Sequence, residues 1–297
     1  MQHLVRAIEL DPSLVMAHID LANACATQEF YGFISPSVAA TQIRKVVHAI
    51  SNSIEGGEAV LPAYGWIRFH VDYDLHGALD AFASSAHLVH DTSTTRLRSM
   101  FALSRHRFAE AIDLLGAALR ADPYSPWLNA RLAWAYHLAG ESERSVKQIE
   151  LALELFPDHE SAGVYGTVIF AFNGHTQRAI EVSENLGRSS PYLDLSTAVH
   201  AYALACAGRR QEAHLVLERL QWLSRERFVL SSFTPAVLVA LGDLSGALAE
   251  LRAASDARCP WFFQMLADPR MKPLHAEPEF ASMCSILETM ETSAQIQ

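Results

Sequence analysis

Residues 126–159 read PWLNARLAWAYHLAGESERSVKQIELALELFPDH. The stretch divides into two helical halves around Gly140. A glycine there permits the tight left-handed turn that ends a first helix. Ser145 is small and falls early in the second half, where two antiparallel helices cross. A larger side chain at that point would force them apart. Pro157 stops the second helix, because proline lacks the N–H and clashes with the preceding turn.

The same features recur at a fixed interval. Gly140, Gly174, Gly208 and Gly242 are each 34 residues apart, as are Ala111, Ser145, Ala179, Ala213 and Ala247. Pro123, Pro157 and Pro191 keep that spacing too. Three residue classes therefore share one period, which marks stacked helix hairpins. A division of the 297 residues into two globules of about 150 residues is set aside.

A period of this length resembles that of the tetratricopeptide family. With the family's terminal proline on Pro157, its expected positions fall on Leu132, Ala133, Tyr136, Gly140, Ser145, Ile149, Ala152 and Pro157. Asn129 departs from the usual leading aromatic. The neighbours depart further: Gly166 and Thr167 replace Leu and Ala, Arg225 takes the place of a terminal proline, and His106 stands at a glycine position. Pro235 falls inside a first helix and kinks it or delays its start. Units are expected at Ala59–Asp91, Thr92–Ser125, Pro126–His159, Glu160–Leu193, Asp194–Arg227 and Phe228–Trp261. A divergent unit, Ser13–Gly56, is expected to be stretched at Glu29–Ser35. Residues 1–12 read as half a unit that frays or pairs with a second copy.

The resemblance implies an all-α fold, a right-handed α-solenoid of antiparallel helix hairpins spanning 1–297. A capping helix at about Pro278–Met290 within the tail 262–297 closes it, since a bare stack exposes apolar surface. Contacts are expected between neighbouring units only. A start half-way through a unit is expected of a piece of a longer chain.

Composition agrees. Alanine, the best helix former, occurs 45 times against 14 glycines and 12 prolines. The 50% hydrophobic content excludes a disordered chain. A net charge of −10 with only three lysines, Lys45, Lys147 and Lys272, leaves no basic face to neutralise phosphates. No nucleic-acid partner is expected. No run of 18 apolar residues suits a membrane span, and a cytoplasmic location is expected. Cys25, Cys206, Cys259 and Cys284 form no close pair, so they read as buried thiols.

Two segments carry a narrower resemblance. Gly65-Trp66-Ile67-Arg68-Phe69 with Asp72-Tyr73-Asp74 is one. The closing run Trp261, Asp268-Pro269-Arg270, Pro273-Leu274 and Pro278-Glu279-Phe280 is the other, with Leu223–Val229 before the last unit. Together they resemble the tetratricopeptide C-terminal half of bacterial winged-helix transcriptional regulators. Related adenylate cyclases and serine/threonine kinases carry similar halves, and a stand-alone scaffold is a further alternative. The resemblance implies an output domain outside these residues. No phosphate loop, catalytic loop or Ser/His/Asp set has recognisable local context, so no enzyme activity, cofactor or metal is expected.

The local clusters read as structural. His87 and His90 suit a solvated helix face better than a metal pair. His70, Asp72 and Asp74 suit a helix corner where Asp caps the next helix. Ser104-Arg105-His106-Arg107 reads as a solvated turn, and Glu141 with Glu143 as caps of a second helix. In tetratricopeptide stacks, which the chain resembles, the first helices line a concave groove, the expected binding surface; the alternative is that Trp127 and Trp134 pack between units and meet no partner. Alignment places Arg96, Met100, Trp127, Trp134, His137, Val164, Val168, Phe172, Tyr202 and Cys206 in the groove, with Arg131 nearby. Aromatic anchors favour an apolar peptide or partner helix. A carboxylate clamp is not expected, because Arg96 is the only cation at the two relevant register positions of the five units from Ala59 to Arg227.

Overall fold

The computed structural model describes residues 1–50, 57–88, 92–190, 194–230 and 234–296. Pro191, His90 and the unit limits Gly56, Asp91 and Leu193 lie outside them. Among the described residues there are helices and no strands.

The hairpin at 126–159 forms as its residues dictate. Helix α8, Pro126–Leu138, starts with Pro126 in its first turn and the Ser125 hydroxyl accepting the Leu128 N–H. Both are N-terminal signals. It ends where Gly140 adopts φ 75°. There the Gly140 N–H donates to His137 O and the Glu141 N–H to Tyr136 O, which satisfies two orphan carbonyls. Helix α9, Ser142–Leu155, then folds back. Ser145 is fully buried at the crossing, and its hydroxyl donates to Ala133 O at 2.9 Å. Ala111, Ala179, Ala213 and Ala247 are likewise solvent-inaccessible.

Similar hairpins run along the chain. The second helices of α2/α3 (Val15–Phe30, Pro36–Ile50) and α4/α5 (Leu61–His70, Leu75–Ser84) pack on their firsts. So do those of α6/α7 (Thr92–Ser104, Phe108–Ala121), α10/α11 (Glu160–Phe172, Thr176–Ser189) and α12/α13 (Asp194–Cys206, Arg210–Glu226). A short pair, α14/α15 (Pro235–Leu241, Leu244–Asp256), follows. Helix α1, Gln2–Leu10, packs on α2 but buries none of its residues fully.

The irregularities have local causes. Pro235 occupies the first turn of α14, so it delays that helix rather than kinking it. Without a terminal proline, α13 runs for 17 residues where α9 and α11 run for 14. Gly166 brings α10 against α9; a Cβ there would lie 2.9 Å from Leu153 Cδ1. Most of the stretch expected at Glu29–Ser35 is found elsewhere. Tyr31–Ser35 is a short turn, and the extra length follows Ile50, where a 3₁₀ segment Gly57–Val60 precedes α4.

One expectation fails outright. Contacts are not confined to neighbouring units. After α15 the chain turns inward as α16, Phe262–Ala267, and a 3₁₀ segment, Pro269–Leu274. It then continues as α17, Pro278–Ile296, longer than the expected cap. Phe30 O accepts from Trp261 Nε1, and α17 packs on α5 and α15. The apolar run Trp261–Phe263 has its burial partners on the inner helices of several units, so the chain end seals the interior.

Candidate interaction site

The first helices of successive hairpins present one inner wall, on which α4 contacts α6, α8 contacts α10, and α10 contacts α12. Side chains repeat along it at the hairpin period. Arg131 on α8 donates to the hydroxyl of Tyr165, its counterpart on α10, at 2.6 Å. Trp134 stacks on Tyr165 and His137 with ring centroids 5.1 and 4.9 Å apart. Tyr202 on α12 extends the wall. Burial pushes the Tyr165 hydroxyl up to about 12 against the opposing pull of Arg131, and raises Tyr202 well above its ordinary value. Both phenols stay neutral hydrogen-bonding groups.

This wall is not open to solvent. Residues 259–274 lie along it as a strap. Trp261 stacks on Phe30 with centroids 4.2 Å apart and donates its indole N–H to Phe30 O at 2.7 Å. The Gln264 amide oxygen accepts from Arg131 at 3.3 Å and Trp134 Nε1 at 3.2 Å. Its nitrogen donates to Ser104 Oγ at 3.3 Å. Asp268, fully buried, is held bidentately by Arg270 at 2.6 and 2.9 Å, with His137 Nε2 3.5 Å away. Burial alone would raise the Asp268 carboxyl, but Arg270 and His137 overcome it and hold the group well below the carboxylate range. The Arg270 guanidinium also covers the rings of Trp134 and Tyr202. A residual cavity of about 40 Å³ remains beside Trp134, Tyr202, Trp261 and Met265. That is room for one or two waters, far below a ligand pocket.

The sequence-derived groove is therefore corrected in one respect: most of its members are covered. Met100, Arg131, Trp134, His137, Val164, Val168 and Tyr202 are buried. Trp127, Arg96 and Cys206 are half-buried; Trp127 packs against the core, and Arg96 donates to Asn23 O. Phe172 is 38% exposed at the edge, its ring meeting His137. Sequence reasoning missed Phe30, Tyr165, Gln264, Asp268 and Arg270 as members. The hairpin period would have paired Tyr165 with Arg131. The run Trp261–Arg270 is visible as a motif, but the repeat period divides it between the last unit, ending at Trp261, and the tail.

The smaller clusters resolve individually. His70 contacts neither Asp72 nor Asp74. Its Nε2 lies 2.6 Å from Glu29 Oε1 and its Nδ1 2.6 Å from Trp66 O, all within the core. Asp74 accepts the Gly77 N–H as N-cap of α5 and pairs with Arg68, while Asp72 pairs with Arg44. Glu141 holds the N-cap position of α9 without capping it, and pairs with Arg144 instead. His87 lies 3.0 Å from Glu58. The turn Ser104–Arg107, expected in solvent, faces the chain end. Arg105 and Arg107 pair with Glu291 at 2.9 and 3.2 Å, and His106 Nε2 donates to Phe263 O at 2.9 Å. Among the described residues no three His, Cys, Asp or Glu side chains gather as a metal set. Among the described residues no helix is long and apolar enough to cross a membrane.

Comparison with known proteins agrees with this geometry. Residues 102–164, from the end of α6 into α10, match the profile of the tetratricopeptide repeat. A tetratricopeptide repeat protein from Parabacteroides merdae superposes with TM-score 0.53 at 11% identity, over 85% of this chain and 92% of that one. This is a tetratricopeptide-repeat fold. A chain of the APC/C hetero-tetramer Cut9–Hcn1 aligns over 97% of this chain and 62% of its own, at 14% identity and TM-score 0.40. No curated protein matches the sequence. Tetratricopeptide scaffolds serve protein–protein interaction, and here the inner wall and the strap that covers it are the parts of interest.

Proposed function

We propose that the chain is a non-catalytic interaction scaffold, acting in the cytoplasm as the regulatory half of a bacterial winged-helix transcriptional regulator. Its single stack, units 13–56 through 228–261 with the cap and tail, is read as one functional body. The observation that carries the scaffold reading is the wall's engagement of a peptide-like segment. Arg131, Trp134, His137 and Tyr202 meet Trp261, Gln264, Asp268 and Arg270 through hydrogen bonds, the close approach of His137 to Asp268 and ring faces. Aromatic and arginine anchors of this kind concentrate binding energy at interfaces. The regulator assignment draws on the two sequence segments around Trp66 and Trp261–Phe280.

Energetics constrain how a partner reaches the wall. Trp261, Phe262, Phe263, Met265 and Leu266 are almost fully buried, and their burial contributes on the order of 10 kcal/mol. A partner gains the wall only by covering it with side chains of similar chemistry, because its affinity is reduced by the small open population. The test is a photo-crosslinking residue at Phe172, on the wall's edge, compared with one at Trp222, which is 56% exposed on the α13 surface. The reading expects one partner, identified by mass spectrometry, to crosslink from position 172 and not from 222. Crosslinking from 222 alone would move the surface to the outer helices.

A further inference from the structure

Among the described residues three non-glycine side chains sit at positive φ: Tyr73 at 56°, His106 at 57° and Arg258 at 56°. The first two occupy the hairpin turns where Gly32, Gly140, Gly174, Gly208 and Gly242 stand in other units. Non-glycine residues in this region are strained, and such strain collects where structure serves function. Tyr73 and His106 meet the strap at Phe263, and Arg258 meets Tyr73. His106 Nε2 donates to Phe263 O at 2.9 Å. The Tyr73 ring lies 5.4 Å from the Phe263 ring, and its hydroxyl is 3.4 Å from Ser255 Oγ on α15. Arg258, at the turn that launches the strap, places its guanidinium 3.6 Å over the Tyr73 ring. Glycine at 73 or 106 would relieve the backbone and lose these contacts. The geometry is that of turns given over to holding the strap.

The strap's wall contacts also differ from an ordinary core. Arg131, Gln264, His137 and Asp268 are buried polar groups, joined by the Arg270 side chain at 9% exposure, with Arg131 Nε and His137 Nε2 lacking hydrogen-bond partners. Permanent cores are apolar, whereas exchangeable interfaces carry polar and arginine contacts. We infer that residues 259–274 are a latched intramolecular ligand of the concave wall, and that Tyr73, His106 and Arg258 form the latch. Opening it exposes the wall to a partner segment of the strap's own chemistry: a bulky aromatic, an amide three residues on, and an Asp-x-Arg pair. The inference rests on the reading of the wall as a protein-binding surface, and deepens it by stating how access is controlled.

The test uses the full chain and the variants Tyr73→Gly, His106→Gly and their combination. Amide hydrogen exchange at 262–267 should speed about tenfold in each single variant, with α7 and α9 keeping their wild-type rates. A fluorescein-labelled peptide copying residues 259–274 is the binding probe. It should bind the double variant saturably, at least tenfold more tightly than it binds the unmodified chain. Unchanged exchange at 262–267, acceleration of every helix together, or no saturable peptide binding would each overturn the latch. If the strap opens and takes the peptide but position 172 crosslinks no partner, the latch stands and the function proposed for the wall fails.

Discussion

Replacing Asp268 by alanine isolates the charge that anchors the strap. The carboxylate is fully buried and Arg270 is 9% exposed. Removing Asp268 deletes three contacts to Arg270 of 2.6 to 3.0 Å, together with acceptance of the Arg270 backbone N–H at 2.9 Å. A buried guanidinium left without its counter-charge costs about 3–5 kcal/mol. That is a large share of the roughly 5–15 kcal/mol that separates native from unfolded chains. The unfolding entropy of about 2 cal/mol/K per residue converts the loss into a Tm decrease of roughly 5–8 °C. Thermal unfolding followed by circular dichroism at neutral pH measures it. The double variant Asp268→Leu with Arg270→Met removes both charges and should recover most of the decrease. Glu212→Ala, which breaks an exposed pair with Arg209, should leave Tm unchanged. The reasoning is refuted if Asp268→Ala behaves like Glu212→Ala, or if the double variant is no better than the single one. Because the folded carboxyl is held low, its stabilisation is complete above about pH 4 and is lost as pH falls further. Acid titration of the variant should show a shallower loss in that range.

Trp261→Phe keeps a ring over Phe30 but leaves Phe30 O without the indole N–H; chemical denaturation should record a loss of about 1–3 kcal/mol. Ser145→Leu places a larger branched side chain where the helices cross and Ser145 is already solvent-inaccessible. Urea unfolding should show a loss of about 1–3 kcal/mol or more, whereas Ser145→Ala, which removes only the bond to Ala133 O, should cost about 1 kcal/mol. Burial lowers the His106 pKa, against the opposing effects of Phe263 O and Glu291. Its contribution is therefore intact above about pH 6.5 and declines as pH falls below that value. His106→Asn, which tolerates the left-handed turn without titrating, should flatten the pH dependence of strap exchange between pH 7 and 5.

The sequence by itself determined the hairpins. Gly140, Ser145 and Pro157 act within one unit: a turn, a crossing and a stop depend on residues a few positions apart, and their repetition exposes the period. The same locality made the proline lost at Arg225 and the displaced Pro235 legible, while the structure decided that Pro235 delays its helix rather than kinking it. It also placed the candidate residues from Arg96 to Tyr202 on the first helices of their hairpins, because position within a repeat fixes the element a residue occupies. Only the tertiary structure decided what that face meets. Trp261 reaches Phe30, His106 reaches Phe263, and Arg105 reaches Glu291 across 157 to 231 positions of sequence. No local period encodes such pairings. They arise because the stack curves until its far end lies against its beginning, and the apolar, charged run 259–274 finds in that interior the burial and counter-charges that water cannot match.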